Sequence, residues 1–238
     1  MTRGMLRRLD DDLWCVDSVQ RLAAGVYFPA RMTVVRLEDG GLWLHSAVAL
    51  DDELAAEIDA LGPVRWLVAP NCYHHLHLGA AIERWPEAKV IAPAGLRAKR
   101  PDLRIDAELD DGASPWVGAI EIVEIAGAPA LDEFVFLHRR SRTVVVCDLV
   151  FNMREVRGAM TKLVLRMAGV WQRLGQSKLW RTMTRDREAA GRSCARVLGW
   201  EFERVIMAHG EIVEGGDARD RLRDGVEWML EGSERAAA

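Results

Sequence analysis

Residues 70–79 of the chain read Pro70-Asn71-Cys72-Tyr73-His74-His75-Leu76-His77-Leu78-Gly79. Three of the six histidines in the 238-residue sequence fall within four positions of this segment. It follows the apolar run Val64–Ala69, which is typical of a buried strand, and it leads into a helical pattern at His77–Trp85. Loops that follow strand ends often carry ligand sites in α/β proteins, so this segment is a candidate functional site.

The spacing of the histidines indicates which of them could act together. If the helix has begun by His74, then His74 and His77 share a face, and His75 is turned about 100° away. Two imidazoles that converge beside a strand end are half of a transition-metal site. The alternative is a set of surface histidines at a helix N-terminus with no ligand.

Two further residues have the same placement after a strand. Asp148 closes the β-branched run Thr143–Cys147, and His209 follows Val205–Ala208 and precedes a glycine. A carboxylate at the end of a buried strand must be paired, bound to metal or exposed at the rim of the sheet. Taken alone, Asp148 could be a turn cap and His209 a hydrogen-bonded structural residue. The repetition of the placement favours one shared site.

The remaining pattern predicts one layered α/β or α+β domain over residues 1–238. A hairpin joins Met32–Leu37 to Leu42–His45 through a glycine turn, and Asp51–Leu61 has helical spacing. Further strands are predicted at Lys89–Ala92, Gly118–Ile125 and Glu133–Leu137, and a last helix at Ala218–Leu230. Strands interspersed with helices favour this class of fold.

Composition and charge exclude several functions. The formal net charge is −4, from 32 basic and 36 acidic residues, which excludes a globally basic nucleic-acid binder. No apolar run approaches the roughly 18–20 residues of a membrane span, and the charged N-terminus has no signal-peptide pattern. The four cysteines are scattered without a C-x-x-C pair, so we expect a reduced, cytoplasmic protein.

Residues 153–197 form a basic segment that we expect to be a largely helical insert. It contains eleven basic residues and three acidic ones, a net charge of +8. Its apolar stripe consists of Leu163, Met167, Val170, Trp171 and Leu174. Three interpretations stay open: a core-packing helix with snorkelling arginines, a cationic lid over an anionic substrate, or contact with an anionic membrane surface or a partner.

The order strand, histidine cluster, helix, then strand–Asp, then strand–His-Gly resembles the metallo-β-lactamase superfamily over about residues 13–230. The resemblance implies a four-layer αββα sandwich. Several segments are also similar to an uncharacterised bacterial branch of that superfamily, a domain of unknown function. These segments are residues 70–79, 92–103, 141–143, 147–149 and 207–211.

The resemblance carries over to individual positions. Anchored on Gly79, it places His74 and His77 at the second and last histidines of the H-x-H-x-D-H motif, Asp148 at the bridging aspartate and His209 at the late histidine. Three positions depart from the motif. Cys72 stands at the first histidine, Leu76 at the aspartate, and Ala126-Gly127-Ala128-Pro129 where Gly-His-Thr-Pro is expected. The four remaining ligands imply one ion of zinc, iron or manganese rather than two.

The function implied is metal-dependent hydrolysis of a small, anionic substrate. Metal-activated water would attack an ester, lactone, thioester, amide or phosphoester, with Asp148 or His75 handling protons. The rival is a non-catalytic, regulatory or metal-sensing protein on the same fold with a partly lost metal site. The missing middle histidine favours that rival, whereas His74, His77, Asp148 and His209 together favour the enzyme.

Overall fold

Two β-sheets form the centre of the fold in the computed structural model, which describes residues 2–21, 25–110 and 115–237. Within these residues the first sheet has seven strands in chain order: β1 (Thr2–Asp10), β2 (Leu13–Arg21), β3 (Tyr27–Arg36), β4 (Leu42–His45), β5 (Val64–Val68), β6 (Lys89–Ala92) and β7 (Ala107–Glu108). Strands β1 to β4 pair antiparallel, and β4 to β7 pair parallel.

The second sheet has five strands in the described residues, in the spatial order β14-β13-β10-β9-β8. These are β8 (Ile120–Ile125), β9 (Glu133–His138), β10 (Thr143–Val145), β13 (Arg204–Ile206) and β14 (Val213–Glu214). The pair β10–β13 is parallel, so the carboxyl ends of these two strands meet at one edge. A short two-stranded ladder joins β11 (Phe151–Asn152) to β12 (Leu174–Gly175).

Helices cover the outer face of each sheet. They are α1 (Asp52–Asp59), α2 (Leu78–Arg84), α3 (Ala94–Lys99), α4 (Ala159–Ala168), α5 (Lys178–Met183), α6 (Arg187–Leu198) and α7 (Ala218–Ala237). Leu54, Ile58, Leu78 and Leu96 of α1 to α3 pack on the first sheet. Cys194 and Val197 of α6 and Leu222 and Val226 of α7 pack on the second. The layers are therefore helix, sheet, sheet and helix, which confirms the predicted αββα sandwich.

Strand parity explains how both faces of each sheet become buried. Successive side chains of a strand point to opposite faces. In β3, Val34 faces the helices and Val35 faces the other sheet, and in β10 Val144 and Val145 divide in the same way. Strands that are buried on both faces need continuous apolar runs, which is why they were recognisable in the sequence.

The basic segment 153–197 is divided into α4, the short strand β12, α5 and most of α6, so its apolar stripe does not lie on one helix. Helix α4 ends at Gly169, whose φ of 77° is left-handed, and β12 follows before α5 begins. The predicted apolar stripe is therefore broken: Val170 is buried, whereas Leu163 and Met167 are exposed. Helix α6 lies in the core instead, packed on α7 and the second sheet.

Strand β1 was not predicted. Its charged side chains suit an edge strand, because charges at an edge discourage pairing with other chains. Among the described residues, no helix combines the length and the apolar character that a membrane span requires.

Candidate metal centre

Three predicted site residues meet at the carboxyl ends of three strands. His74 lies in the loop after β5 of the first sheet, whereas Asp148 and His209 follow β10 and β13 of the second. His74 Nε2 lies 2.9 Å from His209 Nε2 and 3.5 Å from Asp148 Oδ1. Asp148 Oδ1 lies 3.0 Å from His209 Nε2. These three atoms form a compact triangle of metal-ligating types.

The ring of His209 is held from both sides. Its Nδ1 lies 2.6 Å from the carbonyl oxygen of Pro29, and because a carbonyl only accepts, Nδ1 carries the proton. Phe151 stacks on the imidazole with ring centroids 5.1 Å apart, and Phe28 meets it edge-on at 4.6 Å. Nε2 therefore faces Asp148 and His74 in a fixed orientation.

The backbone around His209 is anchored by a buried arginine. Arg31 Nη1 donates to the carbonyl oxygens of Met207 at 2.9 Å and Gly210 at 2.7 Å, which bracket the histidine. Asp17 Oδ1 accepts from Arg31 Nε at 2.7 Å and balances its charge. This clamp joins β2 and β3 of the first sheet to the loop that carries His209.

His74 is oriented by Ser46 and by a local turn. Ser46 Oγ lies 2.7 Å from His74 Nδ1, which leaves Nε2 free to face Asp148 and His209. Asn71 Oδ1 accepts hydrogen bonds from the backbone N–H groups of Tyr73 at 2.9 Å and His74 at 2.8 Å. This Asx turn replaces the first helical turn that the sequence suggested.

Asp148 is presented by a loop that is tied to the buried Glu133. Glu133 Oε1 accepts from three successive backbone N–H groups, those of Cys147, Asp148 and Leu149, at 3.1, 2.9 and 2.8 Å. Asn71 Nδ2 donates to Asp148 Oδ2 at 2.9 Å. Asp148 therefore offers Oδ1 to the histidines while Oδ2 is already engaged.

The charges of the cluster shift its pKa values. Burial acts to lower the pKa of His74, but the Asp148 carboxylate outweighs burial and raises it above its ordinary value. Burial acts to raise the pKa of Asp148, yet the charges and hydrogen bonds of His74 and His209 hold it well below its usual range. Burial, and then the charge of Asp148, raises the pKa of Glu133 to about 7. Asp148 is thus the carboxylate that stays ionised.

The positions of the protons indicate that the cluster of His74, Asp148 and His209 suits a cation. Neutral His209 uses its one ring proton on Pro29, so its Nε2 can only accept, and the ionised Asp148 Oδ1 also only accepts. Two acceptors 3.0 Å apart repel each other unless a proton or a metal ion lies between them. Ligands about 2.0–2.1 Å from a tetrahedral ion are about 3.3–3.4 Å apart, close to the observed 2.9–3.5 Å. The donor set therefore fits a transition-metal ion with an open position.

The cluster opens into a cavity of about 550 Å³. The lining residues are Gln20, Phe28, Ala30, Ser46, Ala47, Val48, Tyr73, His74, His75, Leu76, Leu131, Asp148, Phe151, Ser177, Leu179, Trp180 and His209. This volume is within the usual range for small-molecule sites. Helix α5 of the basic segment supplies part of the wall, through Leu179 and Trp180.

His77 lies apart from this cluster. Helix α2 begins at Leu78 with His77 as its N-cap, so the condition under which His74 and His77 would share a helix face is not met. Its ring does not line the cavity, and its buried Nε2 has no hydrogen-bond partner among the described residues. Burial lowers the pKa of His77, so its imidazole is neutral.

His75 does line the cavity. Arg100 Nη1 lies 2.8 Å from His75 Nδ1, and because the guanidinium only donates, the proton of a neutral His75 is on Nε2. Burial, followed by the charges of Arg100 and Lys99, lowers the pKa of His75. The imidazole is therefore a neutral hydrogen-bond donor.

Two cysteines adjoin the cluster without a comparable placement. Cys147 Sγ lies within 4.8 Å of ligand atoms of His74 and Asp148, but burial raises the pKa of its thiol well above the ordinary value. Cys72 is buried, and burial raises its pKa to about 11. Neither thiol is ionised at neutral pH without a metal to displace its proton.

Sequence reasoning missed Ser46, Arg31 and Glu133. Glu133 had a visible signal, because it is an acidic residue at the start of a strand in which every side chain is buried. Arg31 likewise interrupts the buried residues of β3. Ser46 has a positive φ of 61°, which no local pattern indicates.

The fold places the chain among proteins of the metallo-β-lactamase fold. VMB-1 is similar over 100% of both chains with 12% identity and a TM-score of 0.67. The metallo-β-lactamase from Pontibacter korlensis matches 98% of this chain and 99% of its own, with 15% identity and a TM-score of 0.65. FIM-1 from Pseudomonas aeruginosa, in a mono-zinc form, matches 98% and 96% with 16% identity and a TM-score of 0.64.

The chain belongs to the DUF4336 family, a domain of unknown function, whose model matches residues 10–170. These structures confirm the predicted metallo-β-lactamase-like fold, and the family match agrees with the predicted branch of unknown function. No curated protein matches the chain.

Proposed function

We propose that this protein is a hydrolase that uses one metal ion held by His74, Asp148 and His209. The observation that carries the proposal is the convergence of Nε2, Oδ1 and Nε2 within 2.9–3.5 Å of one another at the wall of a cavity. Three protein ligands with an open position are typical of catalytic zinc sites. The mono-zinc form of FIM-1 supports zinc as the first metal to test, with iron and manganese next.

Each part of the site has a role in this proposal. A bound ion supplies a water of lowered pKa and polarises the scissile carbonyl or phosphoryl group. The Pro29 carbonyl keeps the ring proton of His209 on Nδ1, and Ser46 Oγ occupies Nδ1 of His74, so that Nε2 of each ring is left for the ion. Because both oxygens of Asp148 are engaged, we assign to His75 Nε2 a hydrogen bond that stabilises the charge developing on the substrate.

His77 is left out of the ligand set, because its ring does not line the cavity. Water or substrate would occupy the position that the sequence assigned to it. Cys147 is the nearest additional donor, and it would ligate only if the metal displaced its proton.

Metal content tests the ligand set. The untagged protein, purified and dialysed against zinc, should hold about one ion per chain by elemental analysis. His74→Ala and His209→Ala should each lose that ion, whereas His77→Ala, the matched control from the same segment, should retain it. Retention of metal by His74→Ala would overturn the ligand assignment.

Turnover tests the reaction. Ester, lactone, thioester, amide and phosphoester panels should show hydrolysis of at least one class by the zinc-loaded protein. That activity should disappear in His74→Ala and persist in His77→Ala. His75→Gln should lower kcat while the metal content stays the same, because His75 contacts no metal in this proposal.

The second candidate is a metal-sensing or regulatory protein on the same fold. The observation that favours it is the loop at residues 126–129, which brings no histidine to the cluster. Instead, the Gly127 carbonyl accepts from the backbone N–H groups of Arg185 and Asp186 at the start of α6. Stoichiometric metal binding without turnover of any panel member would support this candidate over the hydrolase.

A further inference from the structure

The cavity beside the metal cluster differs in character from the anionic site that the charge of residues 153–197 suggested. Among the described residues that line it, none is a lysine or an arginine. Its apolar lining includes Phe28, Val48, Leu131, Phe151 and Trp180. Apart from the three metal-ligating residues and His75, its polar groups are Gln20, Ser46 and Ser177 and the hydroxyl of Tyr73. Away from the metal cluster, an anionic group in this cavity would lose its hydration without gaining a lysine or arginine partner.

Two cations that contact lining residues of the cavity, Lys99 and Arg100, are already engaged. Lys99 Nζ donates to the Cys72 carbonyl oxygen at 2.8 Å and lies 4.1 Å from the ring centroid of Tyr73. Arg100 is bonded to His75 and forms a salt bridge with Asp102. In the basic segment, Arg166 stacks on Trp171 at 3.8 Å instead of facing the cavity.

The apolar surface continues from the cavity to its mouth. Three large side chains that line the cavity are also among the most exposed hydrophobic residues of the described chain: Tyr73 at 43%, Leu76 at 65% and Leu179 at 59%. Exposed apolar groups that border a binding groove commonly mark the path of an apolar ligand. Tyr73 and Leu76 belong to the histidine segment 70–79, and Leu179 belongs to α5. Two separate segments of the chain therefore form the apolar rim.

We infer that this cavity binds an uncharged apolar group, an acyl or alkyl chain that extends from the bond to be cleaved past Leu76 and Leu179. This inference rests on the proposed function only in naming the group as part of the substrate. The substrate class is then a hydrophobic ester, thioester, lactone or amide. Binding of the chain itself requires no metal.

Ligand binding to the full-length, metal-free protein tests the cavity directly. Calorimetry with butanamide, hexanamide and octanamide should show affinity that rises by about fourfold for each added CH₂. Octanoate should bind more weakly than octanamide, because its carboxylate would lose hydration in a cavity whose described lining contains no lysine or arginine. Affinity that does not depend on chain length, or stronger binding of octanoate, would overturn the inference.

Variants at the rim identify the surface involved. Leu76→Gln/Leu179→Gln should weaken octanamide binding by about tenfold or more and leave butanamide unchanged. Leu163→Gln is the matched control, because Leu163 is 48% exposed on α4 and does not line the cavity. Equal loss in the control and the rim variant would count against this surface.

The zinc-loaded protein separates the two proposals. With para-nitrophenyl acetate, butanoate and octanoate, kcat/KM should rise with chain length in the wild type and less steeply in the rim variant. Chain-length-dependent binding without hydrolysis would refute the hydrolase and leave the cavity inference standing. Hydrolysis with no chain-length preference would refute the cavity inference and leave the hydrolase proposal standing.

Discussion

Glu133 holds the Asp148 loop by accepting three successive backbone N–H groups on one oxygen, including that of Asp148 itself at 2.9 Å. Glu133 begins β9 and Asp148 lies in the loop after the neighbouring strand β10, and both carboxyl groups are largely withdrawn from solvent. One of them positions the backbone, and the other offers its oxygen to the histidines. This division of roles makes stability depend on pH.

Glu133→Gln should reduce the pH dependence of stability in the metal-free protein. The pKa of Glu133 is raised from 4.5 to about 7 by burial and by Asp148, so the folded state holds this proton more tightly. Stability therefore falls as pH rises from about 4.5 to about 7, by on the order of 3 kcal/mol. Urea unfolding across this range should show a shallower fall in the variant.

The neighbouring groups act in other pH windows. The lowered pKa of Asp148 contributes stability that is lost only as pH falls below about 3.8, and the raised pKa of His74 contributes stability that is lost above about 6.5. Glu87→Gln, at an exposed position, is the control and should leave the profile unchanged. A wild-type profile that rises between pH 4.5 and 6.5 would contradict the assignment.

Gly210→Ala should destabilise the fold and displace His209. The φ of Gly210 is 105°, and a Cβ there would lie 2.2 Å from the Asn152 carbonyl oxygen. We expect a loss of more than about 2 kcal/mol in urea unfolding and a weaker metal affinity. Gly40→Ala shares a positive φ but meets nothing within 4 Å, so it should cost only about 1 kcal/mol. Equal effects would show that the close approach to Asn152 is unimportant.

Arg31→Met should weaken both stability and metal binding. The substitution leaves the Met207 and Gly210 carbonyls without their buried donor, at a cost of about 2–4 kcal/mol in unfolding free energy. Loss of this clamp should lower metal affinity by about tenfold. Arg7→Met is the control, because Arg7 forms an exposed salt bridge with the same Asp17. Such pairs contribute about 0–1 kcal/mol to the unfolding free energy. Unchanged metal affinity in Arg31→Met would remove the clamp from the proposal.

Ser46→Ala should lower metal affinity by about 10- to 100-fold, because it removes the partner that orients His74 Nδ1. The chain offers a matched pair elsewhere, since Ser141 Oγ lies 2.7 Å from His138 Nδ1 outside the cavity. Ser141→Ala should leave metal affinity unchanged. Competition with a chromogenic chelator would measure both, and equal effects would assign the loss to general destabilisation.

The layers and the location of the site were predictable because they depend on local patterns. Strands buried on both faces give continuous apolar runs such as Thr143–Cys147, and polar residues at their ends stand out against that background. His74, Asp148 and His209 each follow such a strand, and parallel pairing of β10 with β13 brings two of them to one edge.

Other parts of the site could not be predicted, because side chains there form hydrogen bonds with the backbone that change its local structure. Asn71 accepts the N–H groups of Tyr73 and His74, so the chain turns there and the helix begins only at Leu78. The one-face spacing of His74 and His77 fails for that reason. The predicted apolar stripe fails because Gly169, in a left-handed conformation, ends α4 between Met167 and Val170. Long-range contacts such as Arg31 to Gly210 leave no local pattern at all.

Trp180 gives the cavity a fixed wall. Its Nε1 donates to Glu133 Oε2 at 3.3 Å, and its ring is 1% exposed while lining the cavity. Outward movement of α5 would break this hydrogen bond and expose the buried indole. Helix α5 is therefore unsuited to act as a mobile lid. Ligand exchange would then proceed past the exposed Leu76 and Leu179, at a rate set by diffusion and desolvation rather than by a conformational change.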